Sequence, residues 1–161
     1  MTEPRPNWDE YFIEIMHTVG KRSTCDRGQV GCVITRDNRI LSTGYAGSPS
    51  GTAHCDDVGH EMHSVTHSDG RVTEHCIRTA HAEQNALVTA ARHGVSTDGG
   101  TLYCKMAPCY ICAKLIINAG IKRVVAWRDY HASSRSKEIL AEAGITIDII
   151  NNETEHYANK D

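Results

Sequence analysis

The sequence contains two short motifs, His81-Ala82-Glu83 and Pro108-Cys109-Tyr110-Ile111-Cys112, and the second begins 25 positions after Glu83. Together they supply one histidine and two cysteines, which are side chains that zinc binds in proteins. Three protein ligands leave the fourth zinc position open for water, which is typical of catalytic rather than structural sites. A carboxylate beside that water is suited to general acid–base work. We therefore interpret His81, Cys109 and Cys112 as ligands of a catalytic zinc and Glu83 as the proton carrier.

Both motifs open a predicted helix. An alanine-rich apolar stripe follows His81 and ends at Gly94, and Pro108 suits the start of a helix that ends at Gly120. Cys109 and Cys112 are three positions apart, so both thiols can face one point, and the helix N-terminus favours the thiolate form. Residues two apart in a regular helix diverge, so His81 and Glu83 can share a site only with the geometry of a first turn.

The remaining pattern predicts an α/β fold. A helix is expected over 7–21 with Asn7 as its N-cap and Gly20 as its stop, followed by strands 29–35 and 39–45 around a hairpin turn. Strands at 101–106, 123–127 and 145–150 then alternate with helices, the last of them at 136–143 after a polar loop at 129–135. This alternation predicts a parallel or mixed sheet covered by helices. The polar tail 151–161 is expected to fray.

Length and composition indicate one domain spanning 1–161, with a real core. The hydrophobic fraction is 40% without an apolar run long enough for a membrane helix, and the N-terminus resembles neither a signal nor a transit peptide. We therefore expect a soluble cytoplasmic protein that binds no membrane. The net charge of −3 and the pI near 6.3 favour a small substrate over a polynucleotide. Seven cysteines, an odd number, suggest metal binding more than disulfides.

The segment 52–80 is rich in histidine and cysteine and shows little hydrophobic periodicity, so it is expected to be an irregular insertion. A second zinc could hold such a segment together. The predicted ligands are Cys25, Cys55 and Cys76 with either His60 or His75, and the spacing does not decide between the two histidines. The alternative is a mobile flap without metal.

A glycine-rich loop follows the second strand and begins with Gly44, Tyr45, Ala46, Gly47 and Ser48. Glycine allows a ligand to approach the backbone closely, although most such loops only turn the chain.

Five stretches of the chain resemble the deoxycytidylate (dCMP) deaminases and the related late-competence deaminases of the cytidine deaminase superfamily. They are Val30-Gly31-Cys32-Val33-Ile34, the loop 44–49, His54-Cys55-Asp56, residues 76–86 around His81, and Pro108 to Lys114. The resemblance covers about residues 7–150.

This resemblance implies a three-layer α-β-α fold with a mixed five-stranded sheet. It also implies hydrolysis of dCMP to dUMP and ammonia, which supplies dUMP for thymidylate synthesis. Further implications are a homo-oligomer, often a hexamer, and a second zinc in some members, with matching positions at Cys25 and Cys55. The resemblance also implies activation by dCTP and inhibition by dTTP through a Gly-Tyr-Asn-Gly loop, with Mg²⁺ accompanying the effector.

The chain departs from the family pattern at two positions. Ala46 replaces the asparagine of the effector loop, and a methyl group can neither donate nor accept a hydrogen bond. We expect weakened or altered effector recognition there. Lys105 stands where threonine is usual and is expected to point to solvent rather than to a substrate phosphate.

Two other functions remain open on the sequence alone. The first is a deaminase of another cytosine or adenine substrate, and the second is a catalytically silent, zinc-stabilised regulatory module. Glu83 argues against the second, because a structural zinc needs no such carboxylate.

Overall fold

The protein is described by a computed structural model over residues 4–67 and 69–155. In chain order its elements are α1 (Trp8–Gly20), β1 (Gly31–Arg36), β2 (Arg39–Tyr45), α2 (Cys55–Val58), β3 (Met62–Thr66), β4 (Val72–Cys76), α3 (Ala82–Arg92), β5 (Thr101–Met106), α4 (Tyr110–Asn118), β6 (Arg123–Tyr130), α5 (Ser134–Glu142), β7 (Thr146–Ile149) and β8 (Thr154–Glu155). The main sheet has the strand order β2-β1-β5-β6-β7. Strand β1 is antiparallel to both of its neighbours, whereas β6 is parallel to β5 and β7. The predicted mixed five-stranded sheet is confirmed.

The sheet lies between two layers of helices because successive residues of its strands face opposite sides. On one side Val33, Tyr103 and Val125 pack against Phe12 and Met16 of α1. The strand residues between them face the other side, where the larger core includes side chains of three helices: Ala86, Ile116 and Leu140. The predicted three-layer α-β-α architecture is therefore confirmed.

Two local sequence patterns, a helix cap and a hairpin turn, adopt the structures that they predict. The Asn7 side chain accepts a hydrogen bond of 2.9 Å from the Glu10 amide, and the Glu10 carboxylate accepts one of 2.8 Å from the Asn7 amide, so α1 begins with a capping box. Asp37 and Asn38 have φ angles of 51° and 57°. Positive φ at both residues of a two-residue connection is the turn that matches the twist of a β-hairpin.

Gly20 ends the first helix, as predicted, and it also allows a close packing contact. It is the last residue of α1, and a Cβ atom added to it would lie 2.5 Å from the carbonyl oxygen of Gln29. A Cβ on Gly31 would lie 2.2 Å from the carbonyl oxygen of Met16. The two glycines therefore allow α1 to lie directly against the start of β1.

The prediction that residues 52–80 are irregular is wrong for much of the segment. It contains the short helix α2 and an antiparallel hairpin of β3 and β4, which pair from Met62 opposite Cys76 to Thr66 opposite Val72. Every residue of β3 is exposed. A strand without a buried face shows no alternation of polar and apolar residues, which explains why the sequence pattern did not predict this strand.

The C-terminal part is also more regular than predicted. Strand β6 continues to Tyr130 rather than ending at Trp127, and Asp129 and Tyr130 pair in parallel with Thr154 and Glu155 of β8. Part of the tail that was expected to fray is thus a strand, while residues 156–161 lie outside the described residues. Over the ranges that are described, no helix has the length and apolarity needed to cross a bilayer.

Candidate active site

The side chains of the two motifs meet where α3 and α4 begin. His81 is the N-cap residue of α3, and Cys109 is the N-cap residue of α4. His81 Nδ1 lies 3.5 Å from the Sγ of Cys109 and 3.3 Å from the Sγ of Cys112. The three ligand atoms all lie within 4.8 Å of one another. A tetrahedral zinc with ordinary Zn–N and Zn–S bonds holds such atoms about 3.5 Å apart. The donor set and its spacing therefore fit one zinc ion.

The protonation of these three side chains also suits a metal. A hydrogen bond from Cys112 and the neighbouring His81 lower the pKa of Cys109 to about 4. Hydrogen bonding to Cys109 in turn raises the pKa of His81 to about 9, and sharing a proton with Cys109 raises the pKa of Cys112. These shifts favour the thiolate form of Cys109. A metal that binds here displaces the remaining protons, which makes its affinity depend on pH.

Glu83 is buried beside this cluster, only 5% exposed. Its carboxylate oxygen Oε2 lies 3.9 Å from the Sγ of Cys112, and burial raises its pKa. The thiols of Cys32 and Cys104, which lie opposite each other on β1 and β5, are also fully buried. Burial is the main cause that raises the pKa of each thiol, and the negative charge of Glu83 raises it further. The carboxyl group is therefore buried in an environment that favours its protonated form.

The geometric demand on His81 and Glu83 is met because His81 lies outside the regular helix. Its φ and ψ of −68° and 155° are extended, whereas Glu83 is the second residue of α3. The chain therefore turns between them, and both side chains line the same cavity.

This cavity has a volume of about 140 Å³. Its apolar lining comes from the sheet and the adjoining turns, through Val30, Ala46, Met106 and Ala107. Arg27 and Tyr130 are among the lining residues that the sequence did not predict. No local periodicity marks them, because they reach the cavity only after the strands have paired.

A second cluster of metal-ligand side chains lies next to the cavity. It consists of Cys25, Cys55, His60 and Cys76, whose ligand atoms all lie within 4.8 Å of one another. The Nδ1 of His60 is 3.6 Å from the Sγ of Cys25, and the Sγ atoms of Cys55 and Cys76 are 3.5 Å apart. The Nε2 of His60 pairs with Asp26 at 3.0 Å, as ligating histidines commonly pair with a carboxylate. The four donors fit a closed zinc site.

His75, the alternative fourth ligand, lies elsewhere. Its Nε2 is 2.7 Å from the Oγ1 of Thr73, and its ring lines the cavity between the two clusters. Of the two histidines that the sequence left open, the structure brings His60 to the three cysteines and leaves His75 outside that group.

The predicted nucleotide loop begins with a packing contact. Gly44 is buried at the end of β2, where a Cβ atom would lie 2.3 Å from the amide nitrogen of Ala86. The Tyr45 carbonyl accepts a hydrogen bond of 2.8 Å from Asn85, and Gly47 forms a β-bridge with Ala80. The loop is therefore tied to the residues that flank His81.

The last loop position has a polar atom that the described residues leave unpaired. The Oγ of Ser48 is buried without a hydrogen-bond partner in that part of the chain. The methyl group of Ala46, two positions earlier, lines the cavity. The loop and the candidate active site thus share a wall.

Lys105 does not point freely to solvent, as the sequence had suggested. Its side chain is partly buried, and its ammonium group donates a hydrogen bond to the carbonyl oxygen of Gly28. The prediction is wrong because β5 lies inside the sheet, where Lys105 is flanked by the segment that leads into β1.

Comparison with known proteins identifies the class to which this fold and site belong. A model of the cytidine and deoxycytidylate deaminase zinc-binding region matches residues 6–128. The chain is 40% identical over 144 residues to ComE operon protein 2 of Bacillus subtilis (strain 168), a match covering 89% of this chain and 71% of that protein. It is 40% identical over 126 residues to deoxycytidylate deaminase of Mycobacterium phage D29, covering 75% and 94% of the two chains.

A longer relative and a solved structure extend the comparison. Deoxycytidylate deaminase of Schizosaccharomyces pombe is 38% identical over 143 residues, but the match spans 89% of this chain and only 44% of that protein. The crystal structure of dCMP deaminase from the cyanophage S-TIM5, in complex with dCMP and dUMP, matches with a TM-score of 0.70 at 28% identity. That match covers 95% of this chain and 100% of the phage chain. The chain belongs to the cytidine and deoxycytidylate deaminase family, whose matched region binds zinc.

Proposed function

We propose that this protein catalyses the zinc-dependent hydrolytic deamination of dCMP to dUMP and ammonia. One observation carries the proposal: the ligand atoms of His81, Cys109 and Cys112 converge beside the buried carboxylate of Glu83. The relatives named deoxycytidylate deaminase and the phage enzyme in complex with dCMP and dUMP support this choice of substrate.

The overall reaction adds the oxygen of water to C4 of the pyrimidine ring and releases the exocyclic amino group as ammonia. Zinc, when bound by His81, Cys109 and Cys112, supplies a Lewis acid that makes water nucleophilic at neutral pH. Glu83 accepts a proton from the attacking water and delivers it to ring nitrogen N3. It then carries the second proton to the departing amine, so that ammonia leaves as a neutral molecule.

Burial of Glu83 suits this role because it raises the pKa of the carboxyl group towards the working pH. The side chains of Val30, Met106 and Ala107 line the cavity with apolar surface. Such walls contact a flat pyrimidine ring and exclude competing water molecules from the reacting carbon.

The decisive experiment replaces Glu83 with glutamine and measures ammonia release and bound zinc together. Turnover should fall at least ~100-fold, because general acid–base catalysis contributes about 10²–10⁴-fold to such reactions. Zinc content should stay at the wild-type level, because the substitution leaves all three ligands in the chain. Retained activity in Glu83→Gln would show that this mechanism is wrong.

The same assay separates the alternative functions. Wild-type protein is tested against dCMP, dCTP, deoxycytidine, cytosine and adenosine. We expect dCMP to be the preferred substrate. Preference for cytosine or adenosine would identify a different deaminase, and zinc-loaded protein inactive on all five would favour a regulatory module.

We further propose that the cluster of Cys25, Cys55, His60 and Cys76 binds a second, structural zinc. The proposal includes dCTP and dTTP, with Mg²⁺, as effectors whose action the loop at Ala46 weakens.

It also includes a cytoplasmic homo-oligomer, with a hexamer as the expected state. Ile111 and Leu115, one turn apart on α4, are 57% and 42% exposed and offer apolar surface for such assembly. Sedimentation of the zinc-loaded protein gives the oligomeric state directly.

A further inference from the structure

We infer that the outer edge of the β3–β4 hairpin is an interface between two copies of this chain, in which the two β3 strands pair antiparallel about a twofold axis at Ser64. The inference rests on the homo-oligomer of the proposed function and deepens it. It names the residues that join two chains and the register in which they meet.

Strand β3 is the outer strand of the hairpin. In the described part of the chain it pairs only with β4. The far side of β4 faces the body of the protein, since the Glu74 carbonyl accepts a hydrogen bond of 3.4 Å from Arg27. Every residue of β3 is exposed, and residues 61–67 contain neither proline nor lysine, which commonly protect a sheet edge. The edge is therefore open to another strand.

Only alternate backbone groups of β3 point away from β4. The Ile77 amide donates to the Glu61 carbonyl, and the His67 amide donates to the Arg71 carbonyl, each over 2.8 Å. Because hydrogen-bonded pairs alternate along an antiparallel ladder, the odd-numbered residues of β3 are bonded to β4. The N–H and C=O groups that face outwards are those of Met62, Ser64 and Thr66.

A twofold axis at Ser64 uses all of these outward groups. Ser64 then lies opposite Ser64 of the second copy, and Met62 lies opposite its Thr66. Every outward N–H of one strand meets an outward C=O of the other, as in any antiparallel ladder. An axis at any other residue of β3 leaves an outward residue of each strand opposite a position beyond the end of the partner strand. The register at Ser64 is therefore preferred.

The polar side chains complement each other in the same register. Glu61 lies opposite His67 of the second copy on one face of the combined sheet, and the twofold axis repeats the pair. The Glu61 side chain is 49% exposed despite its contact of 3.7 Å with Arg78. His67 uses its Nε2 to contact Thr73, so Nδ1 is the ring nitrogen that would meet the carboxylate. The strand is thus complementary to itself.

Two exposed apolar side chains also gain cover. Met62 and Val65 are 36% and 41% exposed. In this register Met62 lies beside Thr66 and Val65 beside His63 of the second copy, and side chains directly opposite each other are in contact. Pairing therefore removes apolar surface from water while it satisfies the backbone groups of the edge.

A cysteine placed on the axis tests the register. Opposite Cα atoms of a hydrogen-bonded pair are about 5.5 Å apart, a distance that a disulfide spans. Zinc-loaded Ser64→Cys protein is incubated with glutathione disulfide, which is reduced to two thiols as the two introduced thiols are oxidised to one disulfide. We expect most chains to become covalent dimers on a non-reducing gel.

Thr66→Cys is the matched control for this cross-link. Thr66 is exposed on the same face of β3 as Ser64, but it lies opposite Met62 of the second copy, so its introduced thiol meets no other. The wild type measures the background from its seven cysteines. Both should give at least about tenfold less covalent dimer than Ser64→Cys, because their thiols are too far apart.

Ser64→Pro tests how much the edge contributes to assembly. Proline removes an N–H group, but the Ser64 N–H points away from β4, so the hairpin keeps its ladder. Ser64→Ala is its control, because it removes the same hydroxyl contact with Glu74 and keeps the N–H. In sedimentation of zinc-loaded protein, Ser64→Pro should need a roughly 10-fold higher concentration to assemble, as for two lost hydrogen bonds. Zinc content should stay at the wild-type level.

The inference is overturned if Ser64→Cys forms no more covalent dimer than Thr66→Cys, or if Ser64→Pro assembles as tightly as Ser64→Ala. An oligomeric wild type with either result would refute this interface and leave the proposed assembly in place. A monomeric wild type that deaminates dCMP would refute the assembly and the interface, but not the proposed reaction. A cross-linking wild-type assembly without dCMP turnover would refute the reaction alone.

Discussion

Replacing Gly44 with alanine tests how the fold holds the helix that begins at His81. A Cβ atom on Gly44 would lie 2.3 Å from the amide nitrogen of Ala86 and 2.4 Å from the carbonyl oxygen of Ala82. Both are backbone atoms of α3, so no side chain can rotate away. Ordinary contact distances are about 3.5 Å. The helix and β2 would therefore have to separate by about 1 Å.

Such a separation should cost both stability and activity. Overpacking of a well-packed core typically costs about 1–3 kcal/mol. The hydrogen bond of 2.8 Å from the Ser42 hydroxyl to the Ala86 carbonyl, one of the links between β2 and α3, would be stretched as well. A displacement of about 1 Å at a catalytic group can lower the rate about 100-fold.

The assay is urea unfolding of the zinc-loaded Gly44→Ala protein together with dCMP turnover. Gly47→Ala is the matched control for stability, because the atoms nearest to a Cβ there would be side-chain atoms of Thr24 and Tyr45, 3.2 Å away. We expect Gly44→Ala to lower the free energy of unfolding by at least about 1 kcal/mol more than this control does. Equal stabilities of the two variants would refute the claim that the close contact between Gly44 and the α3 backbone positions that helix.

Three further experiments address the second cluster, the first helix and the loop. Wild-type protein should bind two zinc ions per chain and Cys55→Ser one, by elemental analysis, since each cluster is a separate donor set; one ion per wild-type chain would contradict the second site. Hydrogen bonds from Arg123 hold the pKa of Asp9 below its ordinary 3.8. The stability that this pair contributes is therefore complete above pH 3.8 and is lost as the pH falls through the lower folded-state value. Because water reaches both side chains, Asp9→Asn should lower the free energy of unfolding by only about 0.5–1 kcal/mol at pH 7. Urea unfolding should show a smaller difference from wild type in acid. A difference that does not change with pH would contradict the stabilising role of this ion pair. Finally, dCTP and dTTP should alter the dCMP kinetics of Ala46→Asn more than those of wild type, and full regulation of the wild type would show that the loop needs no amide.

The main features of the fold could be predicted because they depend on short-range chemistry. Asn7 and Glu10 cap α1 wherever that helix lies, and Asp37 and Asn38 adopt positive φ because the hairpin twist requires it. Short, mostly apolar runs likewise marked the central strands, which are buried along much of their length. The exposed hairpin β3–β4 has no buried face on β3 and was therefore missed.

In the candidate site, too, short-range relations could be predicted from the sequence and long-range contacts could not. The sequence by itself determined which side chains open α3 and α4, and hence that His81, Cys109 and Cys112 stand at two helix starts with Glu83 in the first turn. Those relations span three residues or fewer within each motif, so local geometry governs them.

Only the tertiary structure decided which distant residues join them. The choice of His60 over His75, the contact of Gly44 with α3 and the position of Lys105 depend on how the hairpin, the strands and the helices pack together. Spacing along the chain carries no information about such contacts. Each is set by the register and packing of elements that are far apart in sequence.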